Sequence, residues 1–383
     1  MAADAPPRRR KCGTSEVHRL LLNSDPEYAR QRSEIEDLID EETARGFAAA
    51  APKVRTIPVV VHVVYKTAAQ NISDAQVKSQ IAVLNEDYRK LNADASKVPP
   101  VFQPLHVDCN IEFKLATKDV FGQASTGITR TKTNKSSFSY NDAVKSSASG
   151  GADPWPARRY LNIWACNLGG GLLGYAQFPG GPVDTDGVVI LYSAFGNTGT
   201  VNDPFDLGRT ATHEVGHWLN LFHIWGDDGT GCKGSDYCAD TPNQASENYG
   251  KPTFPHISCK NGPNGDLFMD YMDYVDDDAM MMFTAGQALR MNATLNGPRK
   301  TLFQAVPAFP GNLGPSKTKK QSVRKVQAVL RDRYGHKSLK ADGVYGTQTE
   351  LIIRAFQEKR HEAPWKLPVN GKVGKRTWIA LFA

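Results

Sequence analysis

The most informative part of the sequence is His213-Glu-Val-Gly-His217-Trp-Leu-Asn-Leu-Phe-His223. Two histidines four residues apart lie on one face of a helix, where both imidazoles can reach one ion. A continuous helix would carry His223 away, so the chain must turn sharply near Asn220, a side chain that tolerates left-handed backbone. Three neutral nitrogens and a water form an open tetrahedral zinc site, and Glu214 can polarise that water.

Length and composition limit the class of protein. The 383 residues exceed one ordinary core, so two or three domains are expected. With 40% apolar and 22% charged residues, the chain has the composition of a soluble globular protein. The longest apolar run, Ile57 to Tyr65, is far shorter than the roughly 18 residues that a membrane span needs, so an integral membrane protein is excluded. The charged N-terminus has no apolar stretch after it, and no secretory signal is visible.

Hydrophobic patterning predicts that the chain contains both helices and strands. Residues 13–48 are polar, acid-rich and helical in pattern, and a β-rich run over residues 56–65 follows a stretch of small residues. This change of composition indicates a boundary near residue 52. The remaining predicted elements are a helix from Ser73 to about Leu91, strands over 111–116, 160–165 and 187–192, and a helix over about 209–221.

The spacing of the histidines resembles the zinc signature of the metzincins. The residues between them resemble the pappalysin family, the cytophagalysin/ulilysin branch especially. The resemblance covers residues 9–300, with Asn220 where the general pattern has glycine. It implies an α+β, metzincin-type domain with a twisted mixed sheet and an active-site helix. It also implies an edge strand near residues 174–178 that binds substrate as an added strand. Further stretches that carry it are Tyr160-Leu-Asn-Ile-Trp, Leu173-Gly-Tyr-Ala-Gln-Phe-Pro179, Asp240-Thr-Pro-Asn-Gln244 and Tyr271-Met-Asp-Tyr274.

The same resemblance assigns roles to single residues. It implies that His213, His217 and His223 hold zinc and that Glu214 moves the proton during peptide hydrolysis. Met272 matches the Met-turn beneath the metal, and Tyr274 matches a tyrosine that can hydrogen-bond the tetrahedral intermediate. A core methionine and a tyrosine packed at a turn are the alternatives.

An acidic residue after the Met-turn implies a preference for one kind of substrate side chain. Asp277 matches the residue at the base of the pocket that receives the side chain following the scissile bond, so Arg or Lys is expected there. Three adjacent acids could equally form a solvated loop or bind calcium. Clustered oxygen ligands match a family Ca²⁺ site, with ordinary Asx-turns as the alternative; they are Asp236, Asp240, Thr241 and Gln244.

Cysteines indicate an oxidising compartment and a latent form. The resemblance implies a disulfide between Cys232 and Cys259, with Cys238 unpaired and a Cys109–Cys166 bridge left open. Cys12, in Arg10-Lys-Cys-Gly-Thr14, resembles a latency segment whose thiolate would take the fourth zinc position. A thiol in a disordered tail is the alternative.

The C-terminal part resembles the peptidoglycan-binding type 1 domain, a small all-α module of three helices. Two turns echo each other, Asp342-Gly-x-x-Gly-x-x-Thr349 and Asn370-Gly-x-x-Gly-x-x-Thr377. Residues 314–383 carry 16 Lys and Arg against 5 Asp and Glu, a balance of +11. Peptidoglycan or an anionic cell-wall polymer is the expected partner. Nucleic acid is the alternative that the positive charge leaves open, although no nucleic-acid motif appears.

These features together predict a secreted zinc metalloendopeptidase that is made as a zymogen and targeted to the cell wall. Protein or peptide substrates are expected, and Lys53-Val-Arg55 would offer sites for self-activation. A peptidoglycan cross-link peptidase and a non-catalytic wall-binding protein are the alternatives. The expected domains are a pro-segment (1–52), a catalytic domain (53–306), a linker (307–319) and the wall-binding domain (320–383).

Overall fold

The structure, a computed structural model, describes residues 7–46, 53–227, 231–361 and 364–383. It contains two compact units. The first comprises the described residues of Met1–Ala116 and Gly127–Leu302. The second comprises the described residues of Thr117–Thr126 and Phe303–Ala383. The expected end of the pro-segment at residue 52 lies outside the described residues. In the part described, no helix is both long and apolar enough to cross a membrane.

Five helices and six strands form the first unit. The helices are α1 (Thr14–Ser24), α2 (Pro26–Gly46), α3 (Asp74–Tyr88), α4 (Arg209–Trp218) and α5 (Ala285–Asn296). The strands are β1 (Arg55–Tyr65), β2 (Ile111–Leu115), β3 (Ile128–Lys132), β4 (Leu161–Cys166), β5 (Gly174–Ala176) and β6 (Val188–Leu191).

The predicted helical segment over residues 13–48 is divided into α1 and α2. The division lies at Asp25, whose backbone is extended and whose carboxylate accepts hydrogen bonds from the amides of Glu27 and Tyr28. Pro26 then begins α2, where a missing amide hydrogen removes no helical hydrogen bond.

The predicted helix from Ser73 is confirmed as α3. The Ser73 hydroxyl caps the helix by accepting a hydrogen bond from the Gln76 amide at 3.1 Å. The helix ends at Tyr88, short of the predicted Leu91, because Arg89 leaves the helical conformation and Lys90 has a φ of +54°.

The strands form one mixed sheet in the order β2-β1-β4-β6-β5, with β3 also paired to β1. All pairings are parallel except that of β5 with β6, which is antiparallel. The α+β class and the mixed sheet are therefore confirmed. Strands β2, β4 and β6 correspond to the three strands predicted after β1, whereas β3 was not predicted.

The central strands of this sheet are buried on both faces. Ile57, Val59, Val61 and Val63 of β1 belong to the core that also contains apolar residues of α3 and α4. Val64 faces the opposite way, in a second core with residues of β4, β5 and β6, because alternate side chains of a strand point to opposite faces. Strand β5 forms one edge of the sheet, and α4 packs close to it.

The second unit contains three helices, as predicted. They are α6 (Gln321–Asp332), α7 (Thr347–Glu358) and α8 (Lys375–Phe382), and their apolar faces share one core. The stretch predicted as a linker over residues 307–319 contributes Leu313 to this core, and Leu313 pairs with Val373. The domain boundaries themselves stay predictions.

The two echoing turns of this unit are held in the same way. The Gln327 carboxamide accepts a hydrogen bond from the Gly343 amide at 2.8 Å and donates to Thr349 Oγ1 at 3.1 Å. One repeat later, Gln357 makes the matching bonds to the Gly371 amide and to Thr377, at the same distances. Both glycines have positive φ, +85° and +68°, so the turns require them.

Candidate active site

Helix α4 carries the first two histidines, and all ten of its residues are buried. The Nε2 atoms of His213 and His217 lie 3.2 Å apart. The helix ends at Trp218, earlier than predicted, and Asn220 then adopts a φ of +78°. This is the sharp turn expected from the sequence, and it returns His223 to the site, with its Nε2 3.0 Å from that of His217.

A hydrogen bond at Nδ1 fixes which nitrogen of each histidine ring carries the proton. The Nδ1 atoms of His213, His217 and His223 each lie 2.7 Å from an oxygen; these are Tyr271 O, Leu221 O and the Asp227 carboxylate. Carbonyl and carboxylate oxygens accept hydrogen bonds, so each Nδ1 carries a hydrogen and donates it. Each Nε2 then directs a lone pair towards the other two Nε2 atoms. Burial also lowers the pKa of His213 and His217 well below its ordinary value, which keeps both rings neutral.

Cys12 supplies a fourth ligand atom. Its Sγ and a ring nitrogen of each histidine all lie within 4.8 Å of one another, and all four residues are buried. Among the residues that the structure describes, no other group of three or more His, Cys, Asp and Glu has such a geometry. Three imidazole nitrogens and one thiolate form a suitable tetrahedral donor set for zinc, so the residues present fit this ion.

The segment around Cys12 lies along the edge strand β5 and parallel to it. Cys12 forms a β-bridge with Gly174, and the Gly13 amide donates a hydrogen bond to the Gly174 carbonyl at 2.9 Å. The Thr14 hydroxyl accepts from the Ala176 amide at 2.8 Å. The chain's own N-terminal segment therefore covers the edge on which the sequence predicts substrate binding.

Glu214 lies beside the four ligand atoms. Its Oε2 accepts a hydrogen bond from the Thr14 hydroxyl at 2.9 Å and lies 3.3 Å from Cys12 Sγ. Burial raises the pKa of this carboxyl to about 7, a value suited to a group that takes up and returns a proton near neutral pH. A Cβ at Gly174 would lie 2.8 Å from Glu214 Cγ, so β5 needs a glycine there.

Met272 and Tyr274 lie next to the histidines. Met272 is fully buried beneath α4, and a Cβ at Gly216 would approach its Sδ to 2.5 Å, so the third residue between the paired histidines must be small. The Tyr274 ring centroid lies 4.9 Å from that of His223, and its hydroxyl lies 3.5 Å from the Cys12 carbonyl oxygen.

Asp277 is fully buried and pairs with Arg10 at 2.6 Å. Its other carboxylate oxygen accepts hydrogen bonds from the amides of Leu207 and Arg209, at 2.9 and 3.2 Å. The Arg10 guanidinium also donates to the Val275 carbonyl and is itself buried. No role was predicted for Arg10 and Thr14; the signal that could have found them is their position beside Cys12.

The four residues matched to a calcium site all form hydrogen bonds, and two of them bond each other. Asp236 accepts a hydrogen bond from the Thr241 hydroxyl at 2.8 Å, whereas Asp240 accepts from the Gly286 amide at the start of α5. Gln244 donates to Asp273 at 2.9 Å, and its side-chain oxygen is buried without a partner. Burial raises the pKa of Asp236 to about 7.

The expected disulfide between Cys232 and Cys259 is formed, with 5.3 Å between the two Cα atoms. It closes part of the irregular segment that follows α4. Cys238 is free, as the resemblance implied. Cys109 and Cys166 are also free and buried, so the bridge left open between them is not formed.

Comparison with known proteins identifies the family. Residues 145–296 match the peptidase M43 family, described as pregnancy-associated plasma protein-A. An extracellular metalloprotease of Pyricularia oryzae is 31% identical over 296 residues, which cover 74% of this chain and 87% of that protein. The chain belongs to the peptidase M43, or pappalysin, family. It is a metallopeptidase, and this excludes the alternative of a non-catalytic wall-binding protein.

Solved structures support the same conclusion for this peptidase. A promirolysin mutant of Tannerella forsythia has a TM-score of 0.71 and 48% identity, covering 76% of this chain and 97% of its own. Mature mirolysin of the same organism, in complex with a cleaved peptide, has a TM-score of 0.64 and 54% identity, covering 66% and 96%. Residues 319–381 match a peptidoglycan-binding domain.

Proposed function

We propose that this metallopeptidase is a secreted zinc metalloendopeptidase that hydrolyses peptide bonds in proteins and is made as a latent zymogen. The observation that carries the proposal is the convergence of three imidazole Nε2 atoms, from His213, His217 and His223, beside the buried Glu214. The three histidines would hold the zinc in the active enzyme, and Cys12 would complete the set in the zymogen. Similar proteins named extracellular metalloproteases and the Cys232–Cys259 disulfide support secretion.

The residues of the site suit peptide hydrolysis. Bound zinc supplies a Lewis acid for the scissile carbonyl and for the attacking water. Glu214 would accept the proton of that water and return it to the leaving amine, since one carboxylate beside the zinc ligands can act first as base and then as acid. Tyr274 would donate its hydroxyl hydrogen to the oxygen that gains negative charge.

The contacts of residues 10–14 support latency. This segment covers the edge of β5 and the Glu214 carboxylate, so substrate can reach neither. It also runs parallel to β5. In this segment the residue in the Asp277 pocket, Arg10, precedes Cys12 in the chain. In a substrate, the residue in that pocket would follow the scissile bond. The substrate would therefore run antiparallel to β5. The proposed pro-segment is residues 1–52 and the proposed catalytic domain residues 53–306.

The pairing of Arg10 with Asp277 supports the proposed preference for Arg or Lys after the scissile bond. The pocket holds a guanidinium against a buried carboxylate whose second oxygen is bound by two backbone amides. A basic substrate side chain would replace Arg10 once the pro-segment leaves. An apolar side chain would leave the Asp277 charge buried and unpaired.

The second unit supports targeting to the cell wall. It matches a peptidoglycan-binding domain, and its charge balance of +11 over residues 314–383 would add attraction to an anionic polymer. The same match favours a second candidate function, the peptidase that cleaves peptidoglycan cross-links. Calcium binding near Asp236, Asp240, Thr241 and Gln244 stays a proposal, supported by the unpartnered, buried side-chain oxygen of Gln244.

Two measurements test the proposed function. Glu214→Ala should retain its zinc content but lose peptidase activity by roughly four orders of magnitude, because one residue moves the proton in both steps. Turnover that survives in this variant would contradict the mechanism. Casein and purified wall sacculi, offered separately to the activated enzyme, distinguish a protein endopeptidase from a cross-link peptidase.

A further inference from the structure

One carboxylate of the proposed pro-segment is bound by donors of the rest of the chain. Glu36 of α2 accepts hydrogen bonds from the Arg290 guanidinium and, at 3.2 Å, from the Asn220 carboxamide. Arg32, also of α2, is its third donor. Among the described residues, Glu36 is the one carboxylate that forms an ion pair with Arg290.

Removal of the pro-segment would therefore leave two donors without their acceptor. Arg290 is held in place, because its Nε donates to the Asn220 carbonyl at 2.7 Å and its guanidinium lies over the ring of Phe222 at 5.3 Å and that of Tyr237 at 5.2 Å. Tyr237 is 57% exposed even in this form, so the pocket opens towards solvent. A fixed guanidinium beside a carboxamide and two rings binds a carboxylate better than it binds a neutral group.

The position of this pocket along the cleft follows from β5. The metal ligands lie level with Gly174, and the Asp277 pocket lies towards the residues before it. Phe178, four residues beyond Gly174, contacts the ring of His217 and stacks on Phe222 at 4.9 Å between centroids. At about 3.3 Å per residue, a substrate running antiparallel to β5 would pass Phe178 three to five residues before its scissile bond.

We propose that Arg290, with Asn220, Phe222 and Tyr237, forms a subsite for an acidic substrate side chain three to five residues before the scissile bond. The proposal rests on the proposed function, which supplies both the release of α2 and the direction of the substrate. It adds a second charged determinant to that of Asp277. The preferred substrate segment is then acidic before the cut and basic directly after it.

Matched peptides test the subsite on the activated full-length enzyme. Each peptide carries Arg after the scissile bond and either Glu or Gln at the third, fourth or fifth position before it. At one of these positions, kcat/KM for the Glu peptide should exceed that for the Gln peptide by about tenfold, the effect of one charge-assisted hydrogen bond. The ratio should fall to about one in Arg290→Gln and remain in Arg89→Gln. Arg89 is the matched control, because its partners Asp108 and Glu112 stay in the mature chain.

Each outcome decides the proposal. A Glu-to-Gln ratio near one at all three positions in the wild-type enzyme overturns it, as does a ratio that persists in Arg290→Gln. Where Arg290→Gln does not fold, Arg290→Lys serves instead: loss of the planar fork should reduce the ratio, and an unchanged ratio overturns the proposal. Failure of the zinc-loaded enzyme to cleave any of the peptides overturns the peptidase function itself, and the subsite with it.

Discussion

Replacing Asp277 by asparagine should remove the preference for a basic residue after the scissile bond. In the structure the carboxylate binds two backbone amides through one oxygen and a buried guanidinium through the other. An asparagine side chain at this position would keep its oxygen bonded to the two amides. Its NH₂ group would then face the guanidinium, and both groups are hydrogen-bond donors. Removing one partner of a buried ion pair costs about 3–5 kcal/mol, and the lower value corresponds to roughly a hundredfold change in kcat/KM.

The assay compares two peptides that carry Arg or norleucine after the scissile bond. The ratio of their kcat/KM values should fall about a hundredfold in Asp277→Asn and stay unchanged in Asp278→Asn. Asp278 is the matched control, since it is the next residue along the chain but is exposed and pairs with Lys251. Zinc content should not change in either variant. An Arg preference retained in Asp277→Asn would refute the assignment of this pocket.

Three other predictions concern latency, pH and wall binding. Cys12→Ala should shorten the lag before the zymogen becomes active, and adding Thr14→Val should shorten it further, because the Thr14 hydroxyl bonds both Glu214 and the Ala176 amide; an unchanged lag in a fluorogenic assay speaks against both roles. The free energy of unfolding should fall by up to roughly 3 kcal/mol as pH drops from about 6.5 to about 4, because burial lowers the pKa of His62 to about 4 while the unfolded chain takes up the proton at the ordinary value. Urea unfolding at several pH values should show a weaker slope in His62→Gln, and equal slopes would rule out His62 as the cause. The full chain should pellet with wall sacculi and a chain ending at Leu302 should not; equal pelleting of the two would contradict wall targeting by the second unit.

The parts of the site that depend on local sequence could be predicted. The two histidines of α4 and the turn at Asn220 lie within eleven residues, and helix periodicity with the tolerance of asparagine for positive φ fixes their arrangement. The cap at Ser73 is local in the same sense. Disulfide partners and the Met-turn came from the resemblance, because no local pattern relates residues so far apart.

The contacts between distant segments could not be predicted. Arg10 and Asp277 are separated by 267 positions, and no periodicity in either segment indicates that they pair. Strand β3 was missed because its alternating threonine and basic residues leave it without an apolar face. Of the four residues matched to a calcium site, Thr241 bonds Asp236, whereas Asp240 bonds the start of α5 and Gln244 bonds Asp273, contacts that their spacing in the sequence does not indicate.

The direction in which residues 10–14 lie along β5 has a consequence for the kinetics of activation. A segment that occupies its own cleft in the reverse direction presents no bond for hydrolysis, and while it remains bound no other part of the same molecule can enter. The first cut in a zymogen would then need the cleft of another molecule that is already open. Activation would be bimolecular and self-accelerating, with a lag that shortens as the enzyme concentration rises or as a trace of mature enzyme is added.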